Sequence, residues 1–595
     1  MAGTTLDIKD LISEDELATE IAGYWFKWDR ARDAWKRQKV ELRQYIYATD
    51  TSDTSNDQVS WSNKTHIPKL CQIRDNLYAN YIATMFPKRN SILWEGDQEQ
   101  DEDPDKVSAI KDYMDYVTRQ KEFEDEVSKL IYDYIDYGNA IGTVQWVDET
   151  TKDEDGLERP GYVGPRVMRY SPFDVVINPM ASSFRESPKI VRSLWTIGEA
   201  KKVIEAVTAT EEDRKVATEV FSYLKDIRDT AAAHGGEWKE TDEFLRVDGF
   251  ESFRNYLDSG YIEVLSFYGD FYDRHKDVFY KNCLIVVVDR HKVILKQPHP
   301  LRSGQLPIHH SGWRIRQDNP WAMGPLDNLV GMQYRINHVE NNKADLFDLT
   351  NFPPLKIKGQ VEDFEWGPFE RIYVDSEGDV ELMSPKVDIL NSNIEIQTYE
   401  QRMEEMAGSP KEAMGFRTPG EKTKYEVQRL ENAASRVFQS KIKQFEKQIL
   451  EPLLNDCLAV ARIKLDSVTI RILDDEFKTF SFREINKEDL SALGKIKPVA
   501  ARHFAEQAEM VQNLTNFFGS ALGQDPSVNV HFSGLKLAEL MEDILAIEDH
   551  GIVQQNIRIS EQADSQRLMN AQEEQVMSEI ATPAGINEDD FDDPV

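Results

Sequence analysis

Cysteine is nearly missing from this chain: three residues in 595, Cys71, Cys283 and Cys457, lie far apart and form no CxxC pair. That excludes a disulfide scaffold and a thiolate-based metal finger, and it reads the three as buried apolar residues in a reducing compartment. Long apolar runs are missing too. The longest purely aliphatic stretch, residues 284–288, is far short of the roughly 18 residues that span a bilayer. The amino end has no basic-then-apolar signal pattern, so the expectation is a soluble chain, not exported by a signal of its own and with no membrane partner. Cations are outnumbered: 71 Lys and Arg face 106 Asp and Glu, for a net charge of −35. A protein that grips duplex DNA by its phosphates over a broad face needs concentrated Lys and Arg, so that class is excluded. Three readings of the charge stay open: a chain that never meets nucleic acid, a chain past whose acidic wall DNA slides without sticking, or plain solubility.

What is present is material for large cores. Hydrophobic residues make up 40% and aromatics 10%, which excludes wholesale disorder, and the length alone suggests roughly four domains. Ser13-Glu14-Asp15-Glu16 is a capping box before Leu17, Ile21, Tyr24, Trp25, Trp28, Ala31 and Trp35 at helical spacing, which predicts one long amino-terminal helix. A second helix is expected from about Ile67 to Met85, and a third helical stretch ends near Tyr137, where Gly138 supplies the stop. The period then becomes alternating, predicting strands at 141–147, 164–170, 261–268, 278–288 and 292–296, with a helical insertion over 195–256. Thr423-Lys424-Tyr425-Glu426 opens another helix that Pro452 bends rather than ends. A hairpin around Asp474-Asp475-Glu476 follows, then helices through 498–575 and an acidic tail. The fold class this predicts is α+β.

Residues 319–410 are the most informative region. Leu326, Leu329, Val330, Met332, Ile336, Val339, Leu346 and Phe347 recur at three-and-four spacing, with Arg335, Asn337, Glu340, Asn341 and Asn342 between them as the wet side. A second helix fits 391–407, with Ile394, Ile396, Tyr399, Met403 and Met406 on the apolar side and Glu400, Arg402, Glu404 and Glu405 on the wet one. Between the two lies an aromatic, β-rich insert holding Leu355, Ile357, Trp366, Phe369, Arg371 and Tyr373, with strands expected to pair around 355–358 and 371–374.

Several motifs invite chemistry. Gly415-Phe416-Arg417-Thr418-Pro419-Gly420-Glu421-Lys422-Thr423 approaches a P-loop, but Glu421 intrudes before the lysine and a helix, not a strand, precedes it. It reads as a helix-linking loop, with nucleotide binding as the rival. His299, His309 and His310 cluster without the spacing of a zinc site, and Asp133 with Asp136, or Asp474 with Asp475, are carboxylate pairs that chance supplies in so acidic a chain. No cofactor, metal or catalytic residue is assigned, and the chain reads as a non-enzyme.

The order helix, small insert, helix, loop, long helix resembles the stem, clip, stem, tunnel-loop and long-helix order of tailed-bacteriophage portal proteins, the head–tail connectors, of a podovirus-like kind. The likeness extends upstream to Tyr134–Gly142 and Ser171–Pro179. It implies a portal fold with an α/β wing body at 1–324, stem helices at 325–351 and 390–408, a clip at 352–389 and a tunnel loop at 409–421. A long helix and wing return then occupy 422–497, a mainly helical crown 498–580 and the acidic tail 581–595. It further implies a homo-oligomeric ring, a dodecamer, at a unique capsid vertex, assembled in the host cytoplasm and carried in the virion. Its partners would be the terminase large subunit, adaptor and tail proteins, the major capsid protein and double-stranded DNA passing through the channel. Stem packing would use Leu329, Ile336, Val339, Phe347, Tyr399 and Met403. Clip contacts would use Leu355, Ile357, Trp366, Phe369, Arg371 and Tyr373, and Lys411, Arg417, Lys422 and Lys424 would face DNA. A nucleotide-dependent enzyme using 415–423, or another virion assembly or scaffold protein, remains the alternative.

Overall fold

The computed structural model describes residues 14–47, 63–85, 92–201, 221–222, 262–359, 379–407 and 438–498, with short gaps inside those ranges. Two compact units divide the chain: residues 1–470 with 483–499, and residues 471–482 with 500–595. The expected crown from 499 onward, the acidic tail, the loop 409–421 and nearly all of the insertion at 195–256 lie outside the described residues. What is described mixes eight helices with strands, compatible with the α+β class.

The expected single amino-terminal helix is two: α1 (Glu14–Arg30) and α2 (Asp33–Tyr47). The break falls at Ala31 and Arg32. The Arg32 guanidinium is buried, bound to the Asp29 carboxylate and donating to the backbone carbonyls of Pro172 and Phe173. Anchoring so large a cation to backbone from elsewhere fixes where the helix must turn. The remaining helices of the amino-terminal half are α3 (Lys69–Met85), α4 (Pro104–Thr118) and α5 (Lys121–Asp136). The helical stretch expected up to Tyr137 is thus interrupted at Arg119–Gln120.

The two largest sheets among the described residues are antiparallel. One has three strands in the order β11 (Ile308–Gly312), β2 (Asn139–Asp148), β5 (Val163–Tyr170). The other has five, in the order β10 (Lys292–Pro298), β9 (Val278–Val288), β8 (Ile262–Asp273), β7 (Lys189–Trp195), β6 (Val175–Ile177). α1 lies on the five-stranded sheet, with Leu17, Ala18, Ile21 and Trp25 buried among Leu265, Phe267, Ile285 and Val287. Each large apolar side chain so buried contributes on the order of 2 kcal/mol. Gly138, between α5 and β2, has φ +72°, and a Cβ there would lie 2.3 Å from the backbone nitrogen of Gly324, so only glycine fits.

β1 (Ile92–Gly96) pairs with β18 (Gly494–Pro498) and β3 (Thr151–Lys152) with β4 (Glu158–Arg159), while β12 (Arg314–Arg316) and β13 (Asn319–Met323) form a hairpin. α6 (Val330–Asn351) and α7 (Ile389–Ala407) flank the two-stranded β14 (Leu355–Lys358) and β15 (Asp379–Leu382). Leu355 pairs with Leu382 and Lys358 with Asp379, so the observed partner of 355–358 lies beyond the expected 371–374. Residues 371–374 themselves are outside the described residues. After residue 438 the chain is helical, passes through a wide π turn at Glu446–Leu450 and continues as α8 (Glu451–Lys464). That turn, just ahead of Pro452, accommodates a residue with no N–H to give, so the helix carries on. β16 (Ser467–Asp474) then pairs with β17 (Thr479–Asn486).

Candidate functional site

α6 does not divide into an apolar core side and a wet side. Leu329, Ile336 and Val339 are buried, but so are Gln333, Asn337, Asn341 and Asp345, spaced four residues apart along one stripe. Asn337 and Asn341, expected on the wet side, therefore belong to the interior. What they meet is the extended segment 63–70 leading into α3. Asp345 Oδ1 accepts from the Asn63 backbone N–H at 2.6 Å, Asn341 Oδ1 from Thr65 at 2.7 Å, Asn337 Oδ1 from Ile67 at 3.2 Å and Gln333 Oε1 from Leu70 at 3.0 Å. An extended strand turns an amide to one side at every second residue, and a helix repeats its face about every 3.6 residues. A polar ladder at four-residue spacing therefore matches amides 63, 65 and 67.

The reciprocal bonds lock the ladder. Gln333 Nε2 donates to the Ile67 carbonyl at 2.5 Å and to Asn337 Oδ1 at 2.9 Å, and Asn337 Nδ2 faces His66 Nδ1 at 2.7 Å. Where the segment enters α3, Lys69 Nζ reaches Glu404 of α7 at 2.6 Å, with both side chains buried. Glu404, expected on the wet side of its helix, is thus interior. Segment 63–70 consequently holds α6 by backbone amides and α7 by a buried ion pair. We predict that Asn341→Leu, which orphans the Thr65 amide but also removes the unpartnered Asn341 Nδ2, lowers stability by about 1 kcal/mol in a denaturant titration.

Other positions of α6 and α7 are open. Tyr334 is 57% exposed, Phe347 42%, Ile394 61% and Met406 47%, and Ile357 of β14 is 52% exposed. Phe347, expected to pack, is thus only partly covered, whereas Met403 is fully buried and Tyr399 and Leu355 are half-buried. Exposed pairs tie the two helices: Arg335 with Glu395 at 2.9 Å and Lys343 with Asn393 at 3.3 Å. At such exposure these are worth under about 1 kcal/mol each. Trp366, Phe369, Arg371 and Tyr373, and the cations Lys411, Arg417, Lys422 and Lys424, lie outside the described residues, as does the P-loop-like stretch 415–423.

A second ladder fixes the helix from 438 onward to β11. Lys441 Nζ binds the Trp313 carbonyl, Gln444 Nε2 donates to the Gly312 carbonyl at 2.6 Å, Ser311 Oγ donates to Gln448 Oε1 at 3.2 Å and His309 Nε2 meets Asp456 at 2.7 Å. His310, on the other face of β11, donates from Nε2 to Asn139 Oδ1 at 2.9 Å. Burial and the nearby Lys189 push its imidazole down to about 3, so it stays neutral. Asn139, fully buried, also binds the Ala322 N–H and carbonyl, joining β2 to β13. The two histidines point apart, and no cluster of three metal-ligating side chains occurs among the described residues.

The carboxylate pair on α5 is likewise structural. Asp133 takes a two-point contact from Arg169 at 2.6 and 2.7 Å, and Asp136 one from Arg74 at 2.7 and 3.0 Å. Burial pushes Asp133 up to about 6 against the pull of Arg169. All three cysteines are free thiols: Cys283 and Cys457 are buried, Cys71 half-buried. Among the described residues no helix is long and apolar enough to cross a membrane. In comparisons with known proteins, no family model matches the chain and no curated relative is found.

Proposed function

We propose that the chain is the protomer of a phage portal: a non-enzymatic, ring-forming protein, dodecameric by family likeness, at one capsid vertex. In this reading α6 and α7 are the stem, the β14–β15 insert is the clip on which the terminase large subunit and later the adaptor and tail proteins dock, and the body faces the major capsid protein. Double-stranded DNA enters and leaves through the channel, and the site of action is the virion.

One observation carries the reading. Two adjacent helices flanking a small two-stranded insert turn Tyr334, Phe347, Ile394 and Met406 outward. Large apolar side chains left exposed on two neighbouring helices are what a partner's surface would cover. In a closed cyclic assembly one side of each subunit meets the other side of the next, so such a surface is covered at every contact. The net charge of −35 suits a wall along which DNA slides instead of sticking. The test is a mass measurement of the purified chain with negative-stain imaging. The expected result is a single closed oligomer with an axial channel; a monomer across micromolar concentrations and in the assembled particle would overturn the proposal.

A further inference from the structure

We propose that residues 63–67 form an acid-released strap: a proton on His66 Nδ1 detaches this segment from α6. The argument rests on hydrogen-bond direction. Gln333 accepts from the Leu70 N–H at Oε1 and donates from Nε2 to the Ile67 carbonyl, so its amide cannot be turned round. Asn337 Oδ1 in turn accepts from that same Nε2 and from the Ile67 N–H. Turning the Asn337 amide would aim its NH2 at two donors, so Nδ2 is committed to His66. Across 2.7 Å, His66 Nδ1 must therefore be an unprotonated acceptor. A proton there sets N–H against N–H and removes the bond that closes the ladder at its centre.

Nothing nearby receives the imidazolium. From α2, the Tyr45 ring lies 6.0 Å away. On α6, Asp345 is engaged by Asn63, and Asp348 also bonds the Asn63 side chain. On α7, Glu404 is paired with Lys69, and Lys64, two residues earlier in the segment, carries like charge. The other ring nitrogen, Nε2, is buried without a hydrogen-bond partner among the described residues, as is Asn341 Nδ2. The contact is thus incompletely satisfied, and its net hold is weaker than its list of bonds. Burial alone moves the imidazole, and it moves it below its ordinary value. The attached segment accordingly binds the proton less well than the released one. Attachment is fully present above the ordinary histidine value of about 6.5 and declines as pH falls beneath it.

The experiment is hydrogen exchange on the full chain, corrected for intrinsic rates, following the amides of 63–70 from about pH 8 to about pH 5. Opening of this segment should rise by up to about thirtyfold over that range. His66→Asn places a side-chain oxygen near the Nδ1 position that cannot be protonated, and its profile should be flat. Asn337→Asp supplies an acceptor to the imidazolium while keeping one for Ile67, so acid should tighten the segment instead of loosening it. Protection independent of pH in the natural chain, or the same acid loss in Asn337→Asp, would overturn the proposal. Neither outcome depends on ring formation, so failure here and failure of the portal reading are separate results.

Discussion

Arg74→Met is expected to destabilise the unit containing α3 and α5 by about 3–5 kcal/mol, the usual cost of stranding one partner of a buried ion pair. Arg74 and Asp136 are both under a tenth exposed, and the guanidinium fork meets the carboxylate at two points. The Tyr47 and Tyr132 rings stack on the guanidinium at 5.0 and 4.6 Å, which keeps water away. Methionine fills much of the space but leaves Asp136 charged and dry. Burial already pushes Asp136 above the ordinary carboxylate value. With Arg74 gone the largest opposing pull is lost and only the weaker ones of Arg43 and Lys39 remain, so the folded variant binds a proton more tightly than the unfolded one. Its deficit should therefore shrink as pH falls toward that raised value and be largest at neutral pH. Arg74→Met combined with Asp136→Leu should recover most of the loss, because two apolar groups leave no charge unpaired. Denaturant midpoints of the three proteins at neutral and mildly acid pH decide it. A single variant within about 1 kcal/mol of the natural chain at neutral pH would show that the pair is not dry.

The β-branched and aromatic content of residues 278–288 made that strand legible end to end, and Gly138 announced the stop of α5. The α6 stripe was legible at Leu329, Ile336 and Val339. It was misread at Asn337 and Asn341, because a rule that sorts polar residues to water has no place for a helix whose buried neighbour is bare backbone. The signal was present in composition: a solvated face is commonly Lys and Glu, whereas Gln333, Asn337, Asn341 and Asp345 are short acceptors at strict four-residue spacing. Asp and Asn prefer to bind backbone amides, and that preference, not solubility, explains the row. At β11 the roles differ: Gln444 donates to the Gly312 carbonyl and Gln448 accepts from the Ser311 hydroxyl. Glu404 could not have been placed, since only the fold brings Lys69 to it across 335 residues. The break between α1 and α2 was equally hidden, because Arg32 is fixed by carbonyls about 140 residues away.

Tyr334→Glu combined with Ile394→Glu should abolish assembly while leaving the protomer folded. Both side chains are more than half exposed, so in the lone chain each carboxylate remains hydrated and the cost to folding stays within about 0.5 kcal/mol. Tyr334 stacks on His338 one turn on, at 6.3 Å between ring centres. A covered surface reverses the balance. Each carboxylate brought into an apolar contact without a cation loses its hydration, at several kcal/mol per ion, and a closed ring repeats that penalty at every interface. Obligate contacts bury thousands of Å², yet a handful of residues carries most of their energy, so in the proposed ring two charges within the contact outweigh a large favourable rim. The expected result is a monomeric mass and no rings in negative stain, with the circular dichroism of a folded chain unchanged. Conversely, Arg335→Ala, which removes only the exposed pair with Glu395, should leave assembly intact. Rings of natural size in the double variant would place the subunit contact elsewhere and remove the argument that these two helices form it.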